Sequence, residues 1–126
     1  MFATCSEREL RAVSRVVTEL DVSAGTVLTT EGQPGHEFVI VLDGTGAVSV
    51  NGDLVATLRA GDYFGEIALL DGGPRTATVV AETPMVLAVV VRPDFTRLLD
   101  EVPALSHSVL AKLAQRVRAV QAHAVA

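Results

Sequence analysis

Apolar residues recur at helical spacing near the start of the chain. Ser6 is followed by the acidic residues Glu7 and Glu9, and then by a stripe of apolar positions at Leu10, Val13, Val16 and Val17. A serine followed by acidic residues in the next turn is typical of a helix N-terminus. The pattern therefore predicts a helix that is capped by Ser6 and ends near Leu20.

From Gly25 onward, the apolar residues lie in short runs that are rich in β-branched side chains. Glycine-containing turns separate the runs, and Asp43-Gly44 and Asn51-Gly52 have the composition of hairpin turns. Regularly spaced short strands of this kind predict a β-sandwich, barrel or jelly roll. The predicted strands are Thr26–Thr30, Phe38–Leu42, Ala47–Val50, Leu54–Leu58, Thr76–Ala81 and Val86–Val91.

After Pro93 the apolar spacing becomes helical again. Asp94–Glu101 is predicted as a short helix, which Pro103 interrupts. Ser106 is the predicted N-cap of a longer helix, whose apolar stripe consists of Val109, Leu110, Leu113, Val117 and Val120. The predicted fold class is α+β, mainly β, and a length of 126 residues corresponds to a single domain over 1–126.

Composition restricts the classes of partner. Fifteen acidic residues against ten basic ones give a net charge of −5, and no Lys/Arg cluster is present, which argues against nucleic acid. The longest apolar run, Met85–Val91, is far shorter than the roughly 20 residues that span a bilayer. Acidic residues from Glu7 onward argue against a signal peptide. We expect a cytoplasmic, soluble domain with no nucleic-acid or membrane partner.

Reactive side chains are not arranged for metal binding or catalysis. Cys5 is the one cysteine, so an intramolecular disulfide and a cysteine-built metal site are excluded. His36, His107 and His123 are far apart in sequence and lack the close His-x-His pairing of cupins, which have a similar β architecture. No nucleophile–base set stands out among the serines and threonines. We therefore expect no enzyme activity, no metal and no cofactor.

The segment Gly61–Val79 departs from the β pattern. Glu66–Leu70 has good helix formers between glycines, which predicts one short helical turn with free N–H groups at its start. Such groups attract an anion, and Gly65 lets a ligand approach the backbone. Arg75 supplies a planar cation for phosphate, and Glu66 an acceptor for hydroxyl groups. Together they indicate a ribose phosphate, and an ion pair between the two side chains in a solvated loop is the alternative.

Two runs in this segment resemble the phosphate-binding cassette of cyclic nucleotide-binding domains. They are Phe64-Gly65-Glu66-Ile67-Ala68-Leu69 and Pro74-Arg75-Thr76-Ala77-Thr78-Val79. The family includes the regulatory subunit of protein kinase A and the catabolite activator protein. The resemblance covers nearly the whole chain and implies an eight-stranded antiparallel jelly-roll β-barrel, flanked by an N-terminal helix and by C-terminal B and C helices.

The resemblance also implies a role for individual residues of the cassette. Glu66 would bind the ribose 2′-hydroxyl, Arg75 an exocyclic phosphate oxygen, and Ile67 would offer apolar contact. The backbone amides that would line the phosphate are those of Gly65, Ala68 and Ala77. The remaining apolar positions are assigned to the core, and they are Phe64, Leu69 and Val79.

Thr76 bears on the choice of base. In this family, a threonine directly after the arginine resembles cGMP-preferring kinase sites, where its hydroxyl can meet the guanine amino group. Several cAMP-binding members also carry a hydroxyl residue at this position. Because the bacterial relatives mostly use cAMP, we expect cAMP to be favoured over cGMP.

Two departures from the family pattern concern the lid and the partner. The last helix has no aromatic residue after Phe95, so a lid over the base would be aliphatic, from Val109 or Leu113. The chain ends at Ala126 without the winged-helix domain of transcription-factor relatives, so we expect this chain alone not to bind DNA. Ligand binding would shift the C-terminal helix, which provides allosteric signal transduction to an attached or partner effector.

The alternative function is that of an interaction or dimerisation module which keeps this fold and no longer binds nucleotide. Such a module would use the Val109–Val120 stripe, and the same stripe makes a homodimer an expected assembly. Because Glu66 and Arg75 are both intact, the sequence favours the binding hypothesis.

Overall fold

The computed structural model describes residues 7–65, 72–108, 110 and 111 of the chain. Several sequence predictions concern residues outside this set and stay predictions. They are the Ser6 cap, Cys5, the helical turn Glu66–Leu70, the lid and stripe positions Val109, Leu113, Val117 and Val120, and His123.

The described residues form helices at both ends of a β region. Helix α1 spans Glu7–Val16 and helix α2 spans Arg92–Glu101, and residues 103–108 are also helical. The strands are β1 (Thr18–Val22), β2 (Val27–Thr29), β3 (Glu37–Asp43), β4 (Gly46–Val50), β5 (Asp53–Leu58), β6 (Tyr63–Phe64), β7 (Thr78–Ala81) and β8 (Met85–Val91).

The eight strands pair into two antiparallel sheets. The first sheet has the order β1-β8-β3-β6 and the second the order β2-β7-β4-β5. This arrangement confirms the predicted mainly-β class with eight antiparallel strands. In the part of the chain that the structure describes, the sheets are two faces of a jelly-roll sandwich and do not close into a barrel.

The central strands of the first sheet, β3 and β8, carry buried side chains on both faces, since side chains along a strand alternate between the two faces. On β3, Phe38 and Ile40 belong to a core cluster that includes Phe95 of α2. Val39 and Val41 belong to a second cluster, between the two sheets. Burial on both faces explains why β3 and β8 are almost continuously apolar. Each fully buried side chain of this size contributes about 1.5–3 kcal/mol.

Several elements differ from the sequence predictions, and Asp43-Gly44 connects strands of different sheets, so it is not a hairpin turn. The first helix ends at Val16, not near Leu20, because Thr18–Val22 pairs with β8 as a strand. The backbone hydrogen bonds of that pairing join residues that are far apart in sequence. The spacing of apolar residues along the chain does not reveal such a pairing. The two-residue strand Tyr63–Phe64 was not predicted, since it is too short to show alternation. Ser106 is not an N-cap: it lies inside the helical residues 103–108, and its hydroxyl donates to the Leu99 carbonyl over 2.6 Å.

Candidate ligand-binding site

The site forms where both ends of the segment between β6 and β7 meet the loop that joins β2 to β3. At one end, β6 pairs with β3 and thereby brings Gly65 beside the carbonyl of Glu37. At the other end, Pro74 forms an isolated bridge with Pro34 of the loop. These two attachments bring Gly65 and Arg75 into contact across the intervening residues.

Backbone hydrogen bonds hold Arg75 against this loop. The Arg75 N–H donates to the Gln33 carbonyl over 2.8 Å, and the Gly32 N–H donates to the Arg75 carbonyl over 2.9 Å. Beside these two bonds, the Glu31 N–H donates to the hydroxyl of Thr78, at the start of β7, over 3.0 Å. Since the backbone of Arg75 is bonded on both its donor and its acceptor side, its Cα position is set by the loop.

The side chain of Arg75 runs past two glycines. A Cβ placed on Gly35 would lie 2.5 Å from Nε of Arg75 and 2.8 Å from its Cδ and Cζ. A Cβ placed on Gly65 would collide with Nη1 of the same guanidinium and would lie 2.6 Å from the Glu37 carbonyl oxygen. We call Gly35 and Gly65 the glycine slot. Arg75 is half-buried as a residue and its Nη1 atom is buried, so its charge would interact more strongly with a ligand than it would in bulk water.

Gly65 is required for its backbone as well as for space. Its φ of 93° lies in the left-handed region, which is costly for residues with a Cβ. The turn therefore carries the chain directly out of β6 without a side chain at the point closest to Arg75. Such a position suits close approach of a ligand to the backbone.

The structure brings together part of the predicted site. Gly65 and Arg75 are in contact, as described above. Thr76 follows with an exposed side chain, and Ala77 is half-buried, with its carbonyl accepting a 3.1 Å hydrogen bond from the Thr29 hydroxyl. The predicted residues Glu66, Ile67 and Ala68 lie outside the described residues, so their roles stay predictions.

Sequence reasoning did not identify Gly35 as a site residue. This glycine lies between the predicted strands Thr26–Thr30 and Phe38–Leu42, where a turn glycine is ordinary. In the structure, however, the φ of Gly35 is outside the left-handed region, so the turn itself does not require glycine there. Its neighbour is the Arg75 side chain, a contact between distant residues that no local pattern reports.

The same loop also contacts the start of α2. The Arg92 N–H donates to the His36 carbonyl over 3.0 Å, and a Cβ on Gly72 would lie 3.2 Å from Nη2 of Arg92. An open cavity of about 180 Å³ lies between these groups. Its lining consists of Gly32, Pro34, Gly35, His36, Gly72, Gly73, Pro74 and Arg92. The candidate site and the first C-terminal helix are therefore joined through one short loop.

Two properties of the described residues bear on other classes of site. No group of three or more His, Cys, Asp or Glu side chains among them is arranged to hold a metal ion. None of their helices combines the length and the apolar character that crossing a bilayer requires.

Comparison with known proteins identifies the family. A family model described as the cyclic nucleotide-binding domain matches residues 19–102. The chain belongs to the cyclic nucleotide-binding domain family. The matched range contains the loop, the glycine slot and Arg75, and the resemblance inferred from the two cassette runs is confirmed.

Individual relatives agree with this assignment. The chain is 42% identical over 101 residues to a cAMP-dependent protein kinase regulatory subunit of Yarrowia lipolytica, a match that covers 79% of this chain and 26% of that protein. It resembles the Thermus thermophilus catabolite activator protein with a TM-score of 0.84 and 28% identity, covering 95% of this chain and 59% of that one.

A third relative was solved with its ligand. The chain resembles the regulatory domain of Toxoplasma gondii protein kinase A, crystallised with cAMP, with a TM-score of 0.71 and 30% identity, covering 82% of this chain and 42% of that one. The chain spans 19% to 26% of the length of the first curated relatives, all of them cAMP-dependent protein kinase regulatory subunits.

Proposed function

We propose that the chain, as a single domain over 1–126, binds a cyclic nucleotide and regulates an attached or partner effector, with cAMP favoured over cGMP. The observation that carries the proposal is the position of the Arg75 guanidinium against the Gly65 backbone, at the two ends of the cassette. Membership of the family supports the class of ligand. Several relatives are named as regulatory subunits of cAMP-dependent protein kinase, and these names support the choice of cAMP.

The cyclic phosphate would lie against the glycine slot. Arg75 would donate to its exocyclic oxygens, because a guanidinium presents several N–H donors in one plane and keeps its charge. The Arg75 backbone is already held by the loop, so the cation is positioned before the ligand arrives, which reduces the entropic cost of binding. The backbone amides assigned to the phosphate remain those of Gly65, Ala68 and Ala77.

Glu66 would accept a hydrogen bond from the ribose 2′-hydroxyl, and Ile67 would contact the sugar or base. Thr76 follows Arg75 directly and is exposed, and its hydroxyl would meet a base that lay over the outer end of the cassette. A guanine amino group would gain a hydrogen bond there. We therefore expect the affinity for cGMP to depend more strongly on Thr76 than the affinity for cAMP does. The preference for cAMP over cGMP rests on the relatives, which are named as cAMP-dependent kinase subunits.

Calorimetric titration with cAMP and, in parallel, with cGMP tests this proposal. Arg75→Ala is expected to cost roughly 3–5 kcal/mol of binding, because the phosphate charge would lose its partner in a partly buried site. That cost corresponds to a loss of affinity of about 100- to 4,000-fold. The matched control is Arg97→Ala, which removes the same charge from a side chain that is 63% exposed and 3.9 Å from Asp94.

The outcomes separate the parts of the proposal. Wild-type affinity in Arg75→Ala would refute the phosphate assignment. If the unmodified protein bound neither nucleotide, the non-binding interaction module would replace the proposal. If cGMP bound more tightly than cAMP, and Thr76→Ala abolished the difference, only the choice of base would change.

A further inference from the structure

We infer that Gly35 is a positioning residue for phosphate recognition, because the absence of its side chain provides the space in which the Arg75 guanidinium lies. Gly35 is buried, and it lies in the β2–β3 loop, not in the cassette. The consequence for nucleotide affinity rests on the proposed function. The effect on the position of the Arg75 side chain does not rest on the proposed function, and it can be measured in the protein without ligand.

Space explains the glycine at position 35 better than backbone conformation does. Its φ is outside the left-handed region, unlike those of Gly32 and Gly65, so a side chain would cause no backbone strain there. A methyl group would nevertheless lie 2.5 Å from Nε of Arg75 and 2.8 Å from Cδ and Cζ. Carbon and nitrogen atoms that are not bonded need roughly 3.5 Å. An alanine at position 35 and the observed Arg75 side chain therefore exclude each other.

The side chain of Arg75 is the part that would move. The loop around Gly35 is held on both sides, by the backbone bonds of Arg75 to Gln33 and by the 3.0 Å bond from the Arg92 N–H to the His36 carbonyl. The arginine side chain, in contrast, has several rotatable bonds. A substitution at Gly35 should consequently displace the guanidinium and leave the fold in place.

Gly65 limits where the displaced guanidinium can go. Its backbone closes the slot at Nη1, next to the Glu37 carbonyl. The side chain therefore cannot slide toward the cassette and has to turn out of the slot, away from the position proposed for the phosphate. Gly35→Ala is thus expected to act on binding in the same direction as Arg75→Ala, through a residue that has no functional group of its own.

The experiment compares Gly35→Ala with Gly46→Ala. Gly46 also has a φ outside the left-handed region, but a Cβ there would meet Met85 Cε at 3.4 Å and Val80 O at 3.5 Å, with no contact to Arg75. The first readout is the NMR resonance of the Arg75 Nε–H group in the free protein, assigned by its loss in Arg75→Lys. The second is the affinity for cAMP, and the third is the urea midpoint of unfolding.

Gly35→Ala is expected to shift the Nε–H resonance and to weaken cAMP binding by about tenfold to a hundredfold, since small misplacements of a charged contact have effects of this order. The urea midpoint should change little. Gly46→Ala should leave resonance and affinity at wild-type values. In an Arg75→Lys background, Gly35→Ala should weaken binding less than it does with arginine present, because lysine has no Nε group or guanidinium in the slot.

Several results would overturn the inference. An unshifted Nε–H resonance in Gly35→Ala would do so directly, whatever the affinity. Equal losses of affinity in Gly35→Ala and Gly46→Ala would indicate a general effect of the added methyl group and would also contradict it. If the wild-type protein bound no cyclic nucleotide, the proposed function would fail, and the resonance would still decide whether Gly35 positions Arg75.

Discussion

Gly25 and Gly44 allow backbone strain to be separated from steric collision. Their φ values are nearly equal, 88° and 90°, so an alanine at either position meets the same left-handed backbone. Their surroundings differ. A Cβ on Gly25 would have nothing within 4 Å, whereas a Cβ on Gly44 would collide with the Pro84 carbonyl oxygen and lie 2.9 Å from Met85 Cγ. We therefore expect Gly44→Ala to be the more destabilising substitution.

The magnitudes follow from two contributions. A left-handed conformation costs a residue with a Cβ about 1–2 kcal/mol, and the reduced freedom of the unfolded chain returns about 0.4–1 kcal/mol. Gly25→Ala should therefore lower the free energy of unfolding by about 1 kcal/mol. Gly44→Ala adds an overpacking cost of about 1–3 kcal/mol. The collision is not easily relieved, since the neighbouring turn is bonded through Thr45 to Thr83 and Glu82.

Urea unfolding followed by far-ultraviolet circular dichroism measures both variants, with linear extrapolation to water. Gly44→Ala should be less stable than Gly25→Ala by at least about 1 kcal/mol, which is the lower end of the overpacking cost. An unchanged slope with denaturant would show that the native and unfolded states expose similar surfaces in both variants. Equal losses of stability would refute the reasoning, because backbone strain alone would then account for both glycines.

Two further predictions concern the contacts that attach the C-terminal helices. The rings of Phe38 and Phe95 are 4.6 Å apart and tilted by 31°, so a double-mutant cycle with leucine at both positions should give a coupling of about 0.5–1.5 kcal/mol in urea unfolding. Strictly additive losses of stability from the two single substitutions would contradict the predicted coupling. Ser106→Ala should cost about 1 kcal/mol by removing the 2.6 Å bond to Leu99, while Ser108→Ala, in the same helical segment, should cost much less. Similar thermal midpoints for the two serine variants would argue against a stabilising bond.

The β architecture was predictable where local signals were strong. The Asn51-Gly52 turn appears as expected, with both residues at positive φ, and the strands on either side of it pair as a hairpin. The apolar runs of β3 and β8 were equally clear, because burial on both faces leaves almost no polar positions in them. These features are determined by residues that are neighbours in sequence, so they can be predicted from the sequence alone.

The parts that sequence reasoning missed depend on distant partners. Thr18–Val22 is a strand only because β8 lies beside it. Its apolar alternation is limited to Leu20 and Val22, and it follows directly on the helical stripe, which was predicted to end near Leu20. Gly35 belongs to the site only because the Arg75 side chain passes over it. Arg75 was already a candidate phosphate ligand from its chemistry, and the resemblance of the cassette favoured that hypothesis. The chemistry of a lone arginine in a loop had left an ion pair with Glu66 as an alternative.

The β2–β3 loop also limits how a ligand could move α2. A shift of α2 away from the sheet would break the bond between Arg92 and His36, worth about 0.5–1.5 kcal/mol, and the ring contact between Phe38 and Phe95, worth a similar amount. A ligand shifts such an equilibrium only by the difference between its affinities for the two positions. A contact between phosphate and Arg75 worth roughly 3–5 kcal/mol would exceed the cost of these two contacts if it formed fully in one position only. Exposing Phe95 and Leu98, which are buried in the core, would cost about a further 1.5–3 kcal/mol each, so a shift that the ligand could drive has to keep these two side chains covered. Because the loop holds both Arg75 and the first N–H of α2, movement of one is transmitted to the other over a few residues. In the proposed function, phosphate binding would therefore act on the start of this helix, at the bond between Arg92 and His36, while Phe95 stays packed against the sheet.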